Sequence, residues 1–88
     1  MKLILYSKPG CHLCEGLQEK LEQIEEIAIA LEIRDITTRD DWFQAYQYEI
    51  PVLFLESDQT LTPLPRPSPR ATVKQLTQML QKSISSYG

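Results

Sequence analysis

Both cysteines of this chain fall in one tetrapeptide, Cys11-His12-Leu13-Cys14. No other feature constrains the chain as much, because few arrangements make sense of it. A structural disulfide across four residues would close so short a loop that it removes little entropy from the unfolded chain. It would also be out of place in a cytosolic protein. Structural zinc needs four ligands, usually with a second Cys or His pair further on. Here the single histidine, His12, lies between the two cysteines. Two readings stay open: a cluster shared between two chains and completed by outside thiols, and a redox dithiol. The signature of the second is C-x-x-C beside a βαβ pattern.

The flanking residues supply that pattern. Lys2-Leu3-Ile4-Leu5-Tyr6 is a short strand-like run that stops at Ser7-Lys8-Pro9-Gly10, where Pro and Gly mark a loop. From Leu13 the apolar period changes. Leu13, Leu17, Leu21, Ile24 and Ala28 recur at three- and four-residue steps, which predicts an amphipathic helix ending near Ala28. The cysteines stand at its start. Ile29, Leu31 and Ile33 then alternate as a second strand. A strand–helix–strand unit of this size implies parallel pairing with a right-handed crossover. Thr37 or Thr38 is a cap for a short helix from Arg39 to about Gln47, with Asp40 and Asp41 in its first turn. Trp42, Phe43 and Ala45/Tyr46 form its apolar face, packed on the sheet. Val52-Leu53-Phe54-Leu55 reads as a central strand covered on both sides. Glu56–Gln59 is a turn, and Thr60-Leu61-Thr62 is an edge strand ended by Pro63, Pro65, Pro67 and Pro69. Ser68-Pro69 predicts an N-cap followed by proline at the first helical position. Val73, Leu76, Met79/Leu80 and Ile84 mark the last helix, which is expected to fray from Ser83 to Gly88. The expected architecture is one α/β domain over 1–88, a four-stranded mixed sheet with three helices in the order β-α-β-α-β-β-α.

Composition narrows the function. With 88 residues, 42% hydrophobic and 24% charged, the chain is an ordinary small globular domain. The net charge of −3 excludes a broad basic face for nucleic acid. Apolar runs of a few residues leave no membrane span and no signal peptide, so a monomer in the reducing cytoplasm is expected.

Together these residues resemble the glutaredoxin and thioredoxin-like oxidoreductases. Leu5-Tyr6-Ser7-Lys8-Pro9-Gly10-Cys11-His12-Leu13-Cys14 is similar to the glutaredoxin active-site segment. Ile50-Pro51 before an apolar strand is similar to the Ile/Val-Pro element of the thioredoxin-fold superfamily. The resemblance implies a thioredoxin fold and a cis peptide before Pro51. It also implies a dithiol–disulfide oxidoreductase and electron carrier acting on disulfide-bearing proteins or glutathione mixed disulfides. There are departures. The family's usual Pro-Tyr between the cysteines is His12-Leu13, its Thr-Val-Pro is Glu49-Ile50-Pro51, and Arg66-Pro67-Ser68-Pro69-Arg70 replaces its Gly-Gly and following Asp. Glutathione as co-substrate therefore carries over only at Lys8 and the Ile50 backbone. Alternatives are a glutathione-independent redoxin served by a flavin reductase, or the same fold as a non-catalytic or iron–sulfur-cluster-holding module. No resident cofactor or metal is implied by the dithiol reading.

Roles follow from chemistry. The attacking species is a thiolate. Cys11 at the first helical turn faces unpaired backbone N–H groups and the positive end of the helix dipole, and Lys8 adds a positive charge. Cys11 is thus the expected nucleophile and the more buried Cys14 the resolving thiol. His12 is either an imidazolium favouring the thiolate or a solvated first-turn residue. Leu13 is an expected apolar substrate contact, and the Ile50 backbone beside Pro51 an expected β-bridge to substrate. Gly16 implies a close backbone approach or a tolerated substitution. From Gln59 to Gly88 there are four basic residues and no acids, against nine acids and three bases from Glu15 to Asp41. That asymmetry is either two solvated faces of opposite sign or a placement of Arg66 and Arg70 with Lys8 around the groove, to bind carboxylates.

Overall fold

Alternation along the first strand decides the layering of the computed structural model, which describes residues 1–87, with side chains through residue 83. Strand β1 is Lys2–Ser7, and successive side chains leave it on opposite faces. Leu3 and Leu5 go to one face, Ile4 and Tyr6 to the other. Helices α1 (His12–Glu22) and α3 (Val73–Tyr87) cover the first face with Leu17, Leu21, Leu76 and Leu80. Helix α2 (Asp40–Tyr46), preceded by a 3₁₀ turn at Ile36–Thr38, covers the second with Trp42, Phe43 and Tyr46. Strands β2 (Ala30–Asp35), β3 (Val52–Ser57) and β4 (Thr60–Pro63) complete a four-stranded sheet in the order β2-β1-β3-β4. β2 runs parallel to β1, while β3 pairs antiparallel with both β1 and β4.

The central pairing shows why β3 lacks polar alternation. Leu3 lies opposite Leu55 and Leu5 opposite Leu53, on the α1/α3 side. Ile4 lies opposite Phe54 and Tyr6 opposite Val52, on the α2 side. Where both faces are covered, at Val52–Leu55, successive positions are apolar; Glu56 and Ser57 lie beyond that stretch. Asp58 and Gln59 close the β3–β4 hairpin with φ of 48° and 66°. Positive φ at both central residues is the type I′ turn, whose twist matches the strands, and Asp tolerates that region.

Helix α2 is only two turns long, and the sheet also carries a row of charged residues. Lys2 lies opposite Glu56 in the register. Its ammonium reaches Glu56 at 3.0 Å and Glu32 at 3.3 Å. Arg34 also pairs with Glu32 and donates to the Tyr6 hydroxyl at 2.9 Å. The row ties β2, β1 and β3 together across the sheet.

Several boundaries differ from the sequence reading. Helix α1 ends at Glu22, not near Ala28. Eleven residues rise about 16 Å, already most of the roughly 20 Å of a six-residue strand. A further turn would also place Glu25 and Glu26 at the negative end of the helix dipole. Ile24 still packs into the core from the loop. Neither Thr37 nor Thr38 caps α2. Asp35 caps the 3₁₀ turn, accepting from the Thr37 N–H at 2.9 Å. Arg39 occupies the α2 N-cap without a side-chain capping bond, its guanidinium pairing with the Asp41 carboxylate instead, and Asp40 and Asp41 do fill the first turn. Ala45 is exposed, so Tyr46 alone serves that turn of the apolar face. The Ser68-Pro69 start for the last helix is also displaced. Those residues form a turn closed by the Ala71 N–H on the Ser68 carbonyl at 2.9 Å. The true cap is Thr72. Its hydroxyl accepts from the Gln75 N–H at 3.1 Å, and the Gln75 side chain accepts from the Thr72 N–H at 2.9 Å. The helical backbone continues to Tyr87. Ile84 and the fraying expected towards Gly88 fall outside the described side chains.

Candidate functional site: a helix-capping dithiol beside an apolar groove

The loop after β1 positions the cysteines. The Cys11 N–H closes a turn on the Lys8 carbonyl at 3.2 Å, with Pro9 and Gly10 as its central residues. Gly10 has φ +83°, which its missing Cβ permits, and proline followed by a left-handed residue is the type II turn pattern. The turn delivers Cys11 to the N-cap of α1. There its Sγ accepts from the Cys14 N–H at 3.2 Å and its carbonyl accepts from the Glu15 N–H at 3.0 Å. Cys11 and Cys14 stand at disulfide distance, with Cα atoms 5.3 Å apart. Cys14 is only 3% exposed, packed on the core side of α1, while Cys11 is partly exposed. The buried and accessible members of the pair are thus separated by one helical turn.

A groove of about 390 Å³ opens beside the pair, between α1, the Ile50–Pro51 loop and the 66–69 segment. The Ile50–Pro51 peptide is cis, and both residues line the groove. Leu13, counted in the helical period and also the expected apolar substrate contact, is 55% exposed and lines the groove. His12 also lines it, projecting into solvent 3.5 Å from the Glu15 carboxylate.

The charged residues are distributed differently from the sequence expectation. Arg66 lines the groove, and its guanidinium donates to the Glu49 carbonyl just before Ile50. Arg70 and Lys8 are exposed and are not among the residues lining it. Lys20 stands there instead, its ammonium donating to the Pro69 carbonyl at 2.9 Å. These two bonds fasten the proline-rich 66–69 segment to α1 and to the Ile50 loop. Sequence reasoning missed Lys20. Its signal was the four-residue spacing of His12, Gly16 and Lys20, which puts all three on one stripe of α1. Gly16 lines the groove as well. A Cβ built on it meets nothing within 4 Å, so a close backbone approach does not explain the glycine.

Among the described residues, no group of three or more His, Cys, Asp or Glu side chains is placed to hold a metal ion. No described helix is long and apolar enough to cross a membrane.

Residues 2–81 match the family described as Glutaredoxin-like domain (DUF836). The chain belongs to that family. Its glutaredoxin-like domain is also similar in structure to thioredoxin 1 from the thermophilic eubacterium Thermosipho africanus TCF52B. The TM-score is 0.66 over 99% of this chain and 98% of that one, at 13% sequence identity. At that identity the likeness establishes the thioredoxin fold alone. No curated protein matches the sequence. In the glutaredoxin-like domain, then, a thioredoxin fold carries a C-x-x-C pair at a helix N-terminus.

Proposed function

We propose that this protein is a dithiol–disulfide oxidoreductase, an electron carrier that reduces protein or glutathione mixed disulfides. The observation that carries the reading is the placement of Cys11 as the N-cap of α1, its sulfur accepting a backbone N–H. A helix N-terminus favours negative charge, so this position favours the thiolate. The Cys11 thiolate attacks one sulfur of the substrate disulfide and displaces the other as a thiolate, which takes up a proton. The Cys14 thiol then loses its proton and attacks the Cys11 sulfur, releasing the second substrate thiol. Two electrons pass to the substrate, and the protein is left with the Cys11–Cys14 disulfide. Cys14 is shielded from outside disulfides by burial yet within bonding reach of Cys11, as a resolving thiol requires.

Arg66-Pro67-Ser68-Pro69-Arg70 supports a second form of the reading, a redoxin that works without glutathione and takes electrons from a flavin reductase. The reduction potential separates the two. A thioredoxin-like value is about −270 mV, whereas glutaredoxins lie at about −200 to −230 mV. Either carrier operates in a reducing compartment such as the cytoplasm, as a monomer without a bound cofactor.

The mechanism is tested by single substitutions. Cys11→Ser is expected to abolish reduction of disulfide substrates. Cys14→Ser is expected to stop the reaction at the mixed disulfide, visible as a mass increase equal to one half of the substrate. Full reductase activity in Cys11→Ser would overturn the assignment.

A further inference from the structure

Gly16 is the residue of the groove that dithiol chemistry leaves unexplained. It sits in the interior of α1, where glycine destabilises a helix relative to alanine. Packing does not demand it, because the space around a Cβ is open. That space belongs to the groove, so a side chain at this position would stand inside it. The floor is apolar, with Leu17 and Leu76 both buried beneath it. Lys20 and Arg66 bring positive charge, and among the described residues no acid lines the groove. Each cation has a backbone carbonyl holding it in place. An ammonium carries three N–H donors and a guanidinium five, so both keep donors for a further partner.

We propose that the space left by Gly16 is a docking site for an extended segment of an oxidised protein. The segment carries a large apolar side chain and an adjacent carboxylate near its reacting cysteine. The apolar side chain lies over Gly16 against Leu17 and Leu76, and the carboxylate meets Lys20 and Arg66. Charge complementarity and the apolar floor select this occupant. Glutathione, built from glutamate, cysteine and glycine, has carboxylates but no large apolar side chain to fill the floor. Gly16 and Lys20 are therefore specificity-determining residues. The inference rests on the dithiol reading for the words "oxidised protein", but binding can be measured without any redox step.

The test uses short peptides in which serine replaces the reacting cysteine, with Phe-Asp, Ala-Asp or Phe-Lys two residues away. Titration into the full chain is followed by backbone amide shifts. The Phe-Asp peptide is expected to move the Leu13, Gly16 and Lys20 amides and to bind at least about tenfold more tightly than the other two. Gly16→Leu, its fold checked by circular dichroism, is expected to erase the preference for Phe over Ala. Lys20→Glu, which leaves Arg66 facing a carboxylate of the protein itself, is expected to remove most of the preference for Asp over Lys. Equal binding of the three peptides, or shifts confined to residues outside the groove, would overturn the proposal whatever the variants do. Reduction of bis(2-hydroxyethyl) disulfide by the wild-type protein is measured alongside. Its absence would overturn the dithiol reading, and peptide selectivity would then still assign the groove as a docking site.

Discussion

At the scale of single residues, two glycines of the chain have opposite explanations. Gly10 is required by conformation: its φ of +83° lets the Lys8–Cys11 turn close and sets Cys11 on the helix end. Gly16 has ordinary helical backbone and empty space around it. Gly16→Ala is therefore expected to stabilise the protein by about 1 kcal/mol. Thermal unfolding checks this, with a rise of about 4–8 °C for a domain of this size. A fall in Tm would mean that the backbone at Gly16 needs glycine after all. Cys11 and Cys14 show the same dependence on surroundings. Identical side chains three residues apart differ because one caps the helix in a partly exposed position and the other enters the core.

At the scale of elements, caps decide where helices begin, and they were only partly legible. Thr72-Val73-Lys74-Gln75 fits the Ser/Thr-x-x-Glu/Gln capping box, a stronger signal than Ser68-Pro69 because it satisfies two N–H groups reciprocally. Thr72→Ala is expected to cost about 1 kcal/mol. Ser68→Ala, which removes one turn hydrogen bond at an exposed site, should cost less. Urea midpoints of the two variants test the order, and a larger loss in Ser68→Ala would restore the earlier helix start. The end of α1 was not legible. The apolar repeat of Leu17, Leu21 and Ile24 runs past the last helical residue, since Ile24 reaches the same core from a loop. Periodicity reports which side chains are buried, not whether the backbone between them is helical.

At the scale of the whole molecule, one sheet separates two different interiors. The α1/α3 side is aliphatic. The α2 side is aromatic, with Tyr6 against Tyr46 at 4.4 Å, Phe54 at 5.6 Å and Trp42 at 5.7 Å between ring centres. Arg34 and Arg39 lie over the Trp42 ring at 5.4 and 4.9 Å, where guanidinium groups are attracted to the ring face. The charge row beside this cluster predicts acid sensitivity. The Arg34 guanidinium holds the Glu32 carboxyl below its ordinary value of 4.5, with Lys2 assisting against some burial. A carboxyl with a lowered folded-state pKa contributes stability that is present above its ordinary value and is lost as pH falls through the folded value. The protein should therefore lose stability on acidification below about 4.5, and Glu32→Gln should flatten that loss. Glu32 is more than a third exposed, so solvent screening limits the effect to about 0.2–1 kcal/mol. Urea midpoints of both proteins across this acidic range decide it; parallel curves would show that the row does not contribute.

The sequence alone determined the order of elements, the covering of β3 on both faces, and the location of the dithiol at a helix start. Each depends on neighbours within a few residues: an unbroken apolar run in β3, the alternation of Ile29, Leu31 and Ile33, a three-to-four-residue repeat, a Pro-Gly loop before Cys11. Tertiary structure decided what lines the groove. Lys20 entered the groove through a carbonyl 49 residues away. Arg66 was held at the Ile50 loop while Arg70 and Lys8 stayed outside. Long cationic side chains settle where distant backbone carbonyls are offered, and the path of the 66–69 segment, which offers or receives those bonds, depends on how the sheet edge meets α1. Local pattern carries no record of that path, so the charge layout along the chain offered Arg66 for the groove but not Lys20, and did not separate Arg66 from Arg70 and Lys8.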